Sequence, residues 1–357
     1  NHATQIASII TYGKHKEKLI GISKTVSIYD VKVLDDELGG ETDSIVNGIN
    51  WSIKNDVDII NMSFGFQRYN KELHDVIKKA KKQGIILVGA AGNNMDDYSD
   101  YPARFNEVYS ITAIDKNNKP FIYAPTKKVD FKAPGVEVYT LDSKDEFTTV
   151  NGTSFAAAYF TSYLTTKLDS RNNLSHVLKK YPINWYIKGE NMKNKLIALL
   201  LASIITITYG NFAEAAEVIK ETDINSANSK VNENNIDENI YTKDNRNYIE
   251  NNYNSNDLDI ESSLEFDQNT DKITVDASLN DEYGNNLDKT YDVTFLRIVN
   301  ENDFKAEFTD QDTGEKLVYD TNEVKASVAP VVAVLVGFIA KQGLKMAIKK
   351  YGKTVVT

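Results

Sequence analysis

Up to about residue 183, short apolar runs alternate with stretches in which apolar residues recur every three or four positions. The runs at 26–34, 59–63, 85–88, 108–114 and 131–133 have the length and β-branched content of buried strands, whereas 44–54 and 72–83 carry their apolar residues at helical spacing. Gly84 follows the second of these stretches where a helix-terminating glycine belongs. Strands alternating with helices predict an α/β fold, a parallel sheet with helices on both faces, over residues 1–184. In such sheets functional residues gather at the carboxyl ends of the strands.

The pattern changes at Met192. Met192-Lys193-Asn194-Lys195 precedes an apolar run at 196–207, and Ala213-Glu214-Ala215 follows it. A basic start, an apolar centre about a dozen residues long and a small-x-small end predict a signal peptide over 192–215, or a membrane anchor if it stays uncut. A buried core helix fits the length but accounts for neither the lysines nor the Ala-x-Ala. Residues 188–192 can be encoded by a purine-rich ribosome-binding stretch before a start codon, which suggests two reading frames joined in frame.

Residues 216–258 are rich in Asn, Asp and Glu and poor in large apolar side chains, the composition of a disordered linker. Period-two alternation then predicts a small antiparallel β module over 259–322, with Asp-Glu-Tyr-Gly-Asn-Asn and Asp-Gln-Asp-Thr-Gly as turns. Residues 326–351 read as an apolar, basic helix. Its apolar part, 326–340, is short for a full span, so an amphipathic or partly inserted helix is at least as good a reading as a transmembrane one.

Charge separates the two halves. Lys and Arg number 24 against 23 Asp and Glu up to Glu190, and 17 against 28 beyond it. This balance offers no basic face for phosphate contacts, so nucleic acid is excluded as a partner. With no Cys there is no disulfide framework and no thiolate nucleophile, and the four His have no metal-ligand spacing.

Three segments carry candidate chemistry. His2 heads a helix-like run, a rigid place for a general base. Gly89-Ala90-Ala91-Gly92-Asn93 follows a strand; its small residues admit a substrate backbone, and Asn93 can direct its amide N–H at a developing oxyanion. Gly152-Thr153-Ser154 leads into a helix whose free N–H groups favour negative charge near Ser154. Each segment has a plain reading when taken alone: an ordinary surface His, a Gly-rich turn and an N-cap.

Read in order with Val31–Leu34, Ile59-Ile60-Asn61-Met62-Ser63-Phe64-Gly65, Tyr101-Pro102-Ala103 and Ala133-Pro134-Gly135, these segments resemble the subtilisin-like (subtilase) serine peptidases over residues 1–180. The resemblance implies Ser154 as nucleophile, His2 as base and Asn93 with the Ser154 N–H as oxyanion hole. It further implies Ser63-Phe64-Gly65 and Leu38-Gly39-Gly40 as the two edges that receive an extended peptide, and Ala90-Ala91-Gly92 as the floor of a roomy side-chain pocket. A peptide or protein is the implied substrate. No cofactor is assignable, and calcium enters only through the resemblance.

The family's catalytic Asp lies upstream of its His, and no Asp of this sequence matches it. The expectation is a subtilase fragment incomplete at its N-terminus and impaired in activity. Ala3, Gln5 and Ala158 stand where the family has Gly, often His, and usually Pro. Residues 192–357 weakly resemble secreted toxin-like precursors. The rival reading is therefore a non-enzymatic exported or membrane-acting protein, associated with membrane through 196–210 and 326–340, carrying a degenerate protease remnant. Expected localisation is secreted or membrane-associated, with the protease half cytoplasmic if the internal signal is not cleaved.

Overall fold

The computed structural model describes residues 2–24, 26–35, 39–167, 236–322, 324–326 and 331–352. The signal segment at 192–215, the seam before it and the linker up to residue 235 lie outside the described residues.

In the first half, helix α1 (His2–Ile10) leads to a hairpin of β1 (Gly13–His15) and β2 (Lys18–Ile20). The segments β3 (Gly39–Gly40), α2 (Thr42–Lys54), β4 (Ile59–Met62), β5 (Phe64–Gly65), α3 (Lys71–Lys82) and β6 (Ile86–Ala90) follow. Next come β7 (Tyr109–Ile114), β8 (Phe131–Pro134), the hairpin β9 (Val138–Leu141) and β10 (Phe147–Val150), and helix α4 (Thr153–Lys167). β4, β6, β7 and β8 form a parallel sheet in that order.

Alternation along β6 divides the core between the faces. Leu87 points to the α2–α3 side, where Ile45, Ile49, Leu73 and Ile77 are buried, and Val88 points to the α4 side with Ala156, Ala157 and Phe160. The Ala156-Ala157-Ala158 run is fully buried, and such small side chains let α4 lie close against the sheet. On α3, Asn70 caps Leu73 N at 2.9 Å, and Gly84 takes the positive φ that ends the helix turn.

One expected strand is absent. Residues 26–34 join no ladder, although Val33 packs against Gly48 of α2, so the apolar side chains are used without the backbone pairing and β4 is left at the sheet edge.

The second half forms a seven-stranded antiparallel meander: β11 (Ile236–Lys243), β12 (Arg246–Asn254), β13 (Leu258–Asp267), β14 (Lys272–Asp281), β15 (Asn286–Asn300), β16 (Asp303–Asp310) and β17 (Lys316–Asp320). The sheet begins inside the stretch expected to be linker, which corrects the boundary drawn at 258. In β12, Asn247, Ile249, Asn251 and Tyr253 point inward, so the strand alternates in burial although half of its inward positions are polar. Composition hid it for that reason.

After β17 comes β18 (Val324–Ala326), then α5 (Val331–Phe338), a π-helical turn (Ile339–Leu344) and α6 (Lys345–Tyr351). Of the helix expected from 326, the described residues show Val331 onward as helical, and Ala326 belongs to a strand. The helical run lies on the inner face of the meander; Gly343 approaches Leu264, and Leu335, Ile339, Leu344 and Ala347 are fully buried.

The two halves meet. Tyr283 packs near Phe121 with ring centroids 6.0 Å apart, Tyr123 donates its hydroxyl to Asp281, and Lys119 pairs with Asp257 at 3.0 Å and with Glu282. Arg68, just beyond β5, reaches Asp303 at 2.8 Å and Asn322 at 2.6 Å.

Candidate active site

Ser154 is the second residue of α4 and fully buried. Its Oγ donates to the Ser63 carbonyl at 3.0 Å, and Ser63 Oγ donates to the Ser154 carbonyl at 3.2 Å, so the helix start is bonded to the end of the β4–β5 segment. Asn61 Nδ2 donates to Ser63 Oγ at 2.9 Å, and Thr161 Oγ1 to Asn61 Oδ1 at 2.9 Å, which braces the same junction.

The Gly-rich turn is bonded to this helix start as well. Asn93 Oδ1 accepts from Thr153 N at 2.9 Å, and Gly92 N donates to Thr153 Oγ1 at 3.0 Å. With the oxygen of its amide engaged, the donor end of Asn93 has a fixed orientation. The nucleophile candidate and the oxyanion candidate thus share one hydrogen-bonded turn.

His2 opens α1, which packs on α4, and its ring lies 5.8 Å from that of Phe155 in an edge-on arrangement. Its Nε2 is buried with no hydrogen-bond partner among the described residues, so Ser154 Oγ is bonded to Ser63 rather than to that nitrogen. Burial pushes the His2 imidazole down to about 4, so the ring is neutral at neutral pH, as a base must be. No carboxylate acts on His2 among the described residues.

Gly39–Gly40 and Phe64–Gly65 lie on opposite sides of β18 and form with it a single three-stranded sheet. Leu38 lies outside the described residues.

A buried carboxylate lies beside the Gly-rich turn. Asp100 sits between Gly65 and Gly92: a Cβ at Gly92 would meet Asp100 Oδ2 at 2.5 Å, and one at Gly65 would meet Asp100 Cβ at 2.7 Å. The Asp100 backbone N donates to the Ala91 carbonyl at 2.7 Å, and Asn94 Nδ2 donates to its carboxylate at 2.9 Å. The missing side chains at Gly65 and Gly92 therefore make room for a carboxylate beside the Gly-rich turn. Burial, reinforced by Asp96, raises the Asp100 carboxyl to about 7. The sequence reading missed this residue, which lies in the polar loop Asp96-Asp97-Tyr98-Ser99-Asp100 with no local sign of burial.

The parallel sheet, the helix-start serine bonded to a Gly-rich turn and the two short strand edges can be set against known families. The family model "Subtilase family" matches residues 1–197 of the 357. The chain belongs to the subtilase family. It is 30% identical over 200 residues to Subtilisin DY of Bacillus licheniformis, covering 55% of this chain and 68% of that protein. It is 36% identical over 160 residues to the Minor extracellular protease Epr of Bacillus subtilis (strain 168), covering 44% of this chain and 25% of the relative. A Thermostable alkaline protease of Halalkalibacterium halodurans is 34% identical over 161 residues, 44% of each chain.

Among the described residues, no group of three or more His, Asp or Glu is placed to hold a metal ion. No step below depends on one.

Proposed function

We propose that this chain is a serine endopeptidase of the subtilisin type, with Ser154 as nucleophile, His2 as general base and Asn93 as oxyanion donor. The observation that carries the reading is the turn shared by Asn93, Thr153 and Ser154, set beside the two strand edges. Ser154 Oγ would turn from the Ser63 carbonyl to His2, give up its proton there and attack the peptide carbonyl. The amide of Asn93 and the Ser154 N–H at the helix start would receive the oxyanion. His2 would pass the proton to the leaving amine. Asp100 would favour a basic side chain in the pocket once ionised.

Labelling by a fluorophosphonate probe tests this reading. Labelling of the protein that disappears in Ser154→Ala is the expected result, and its absence from both rejects an active serine.

The rival reading, an exported or membrane-acting protein, has one observation in its favour. Among the described residues, the helical run Val331–Tyr351 is long and apolar enough to cross a bilayer. Much of that run is buried against the meander, so it could meet a membrane only after leaving the sheet.

A further inference from the structure

A strand of this chain lies between the two edges that the peptidase reading assigns to an extended peptide. Val324 pairs with Gly40 and Lys325 with Gly39 on one side; Lys325 pairs with Gly65 and Ala326 with Phe64 on the other. Both ladders are antiparallel, and a strand added to a sheet edge uses the same main-chain groups that would receive a peptide. The two edges are therefore already engaged.

The meander fixes the leading end of this strand. Thr321 Oγ1 donates to the Phe304 carbonyl at 3.1 Å, and Asn322 Nδ2 donates to Asp303 Oδ1 at 3.0 Å. The protease half grips the same corner, where Arg68 reaches Asn322 at 2.6 Å and Asp303 at 2.8 Å. A segment tied to a seven-stranded sheet has less conformational freedom to lose on entering the edges than a flexible peptide has.

A second contact comes from the helical run that follows the strand. Lys341 Nζ lies 2.9 Å from the Asn94 carbonyl and 2.9 Å from Asp96 Oδ1, on the loop that leads from Asn93 to Asp100. The Lys341 side chain is only 16% exposed, so its ammonium is paired where water is scarce. A cation of this chain thus sits on the acidic loop whose Asp100 the peptidase reading offers to a basic substrate side chain.

Resting on the peptidase reading above, we propose that the second half of the chain is a built-in inhibitor of the first: β18 fills the substrate edges, Lys341 caps the acidic loop, and peptides enter only when both let go. The step under control is peptide entry. Ser154, His2 and Asn93 keep their arrangement, and a small reagent that forms no strand needs neither edge.

The test compares the full chain with Lys325→Pro and Lys341→Ala. The readouts are turnover of a chromogenic tetrapeptide ending in Lys, fluorophosphonate labelling of Ser154, and amide exchange at Gly39, Gly40 and Gly65. Proline has no N–H to give to a ladder, and alanine removes the cation. In each variant exchange at the three glycines should quicken while exchange in β13 and β14 stays slow. KM should fall at least about tenfold with kcat and labelling unchanged, because a site open in a tenth of the molecules or fewer binds more weakly by that fraction. Unchanged KM in both variants, whether or not exchange quickens, overturns the inhibitor assignment alone when Ser154 still labels. A parent and variants that neither label nor turn over peptide overturn the peptidase reading and the inhibitor assignment together.

Discussion

The side-chain oxygen of Asn93 accepts the backbone N–H of Thr153 at 2.9 Å, so the residue proposed to receive the oxyanion also secures the first turn of the nucleophile's helix. The two roles separate by measurement. Asn93→Ala should lower kcat on a peptide by about 10²–10³ with little change in KM, a magnitude that comes from subtilisin itself and not from this geometry. It should also cost about 1 kcal/mol of stability, read as a lower denaturation midpoint, because one N–H of the helix start loses its partner. A fall in stability without a fall in kcat would leave Asn93 a purely structural residue.

Asp100 predicts a selectivity that changes with pH. Its carboxyl is raised to about 7, so the pocket is largely neutral in acid and negative in base. Preference for Lys or Arg over a neutral residue before the cut bond should grow as pH rises through 7, and Asp100→Asn should flatten that growth. Stability has the opposite slope. Between the ordinary carboxylate value of 3.8 and about 7, the folded form keeps a proton that the unfolded form has lost. The folded state is thus progressively disfavoured as pH rises across that window, by a few kcal/mol at most, on the order of 1.4 kcal/mol per pH unit. Asp100→Asn should remove this decline in chemical denaturation curves.

His2 predicts the acid side of the profile. Its imidazole is pushed from 6.5 to about 4 by burial, so between those values the unfolded chain binds a proton that the folded chain does not. The stability from keeping this ring neutral is whole above 6.5 and is lost as pH falls toward 4. The rate of Ser154 labelling should keep its value down to about pH 5 and drop below it. An acid limb near 6.5 would mean that His2 is solvated in the working protein.

Arg68 links the protease half to the meander through Asp303 and Asn322. Being partly exposed, the pair adds little to global stability. Arg68→Ala should instead loosen the local register. Faster amide exchange at Gly39, Gly40 and Gly65, with exchange in β13 and β14 unchanged, is the expected result; uniform acceleration would argue against a local anchor.

What could be read in advance follows the range of the interaction. β6 and α3 were legible because Ile85–Val88 and the Leu73, Val76, Ile77, Ala80 stripe carry their own periodicity. The Ser154 turn and the Gly-rich turn were legible because each is a contiguous motif. Asp100 was not, since its proximity to Gly65 and Gly92 exists only after the chain has folded. The strand at 26–34 was expected because apolar alternation shows burial, and burial of Val33 against Gly48 needs no ladder. β12 escaped notice because Asn247 and Asn251 occupy inward positions, and β18 because Val-Lys-Ala merges with the apolar run while its partners lie more than 250 residues away.

A strand that lies in a cleft on its own chain is never diluted away from it. Joining the two turns an encounter between molecules into one within a molecule, with an effective concentration set by the connecting chain rather than by the amount of protein present. Each cleft thus comes supplied with a single occupant, whose grip is the same in a crowded or a sparse solution. Any outside peptide must compete with that resident, so the threshold for acting on other proteins is written into the covalent continuity between Phe64 and Ala326.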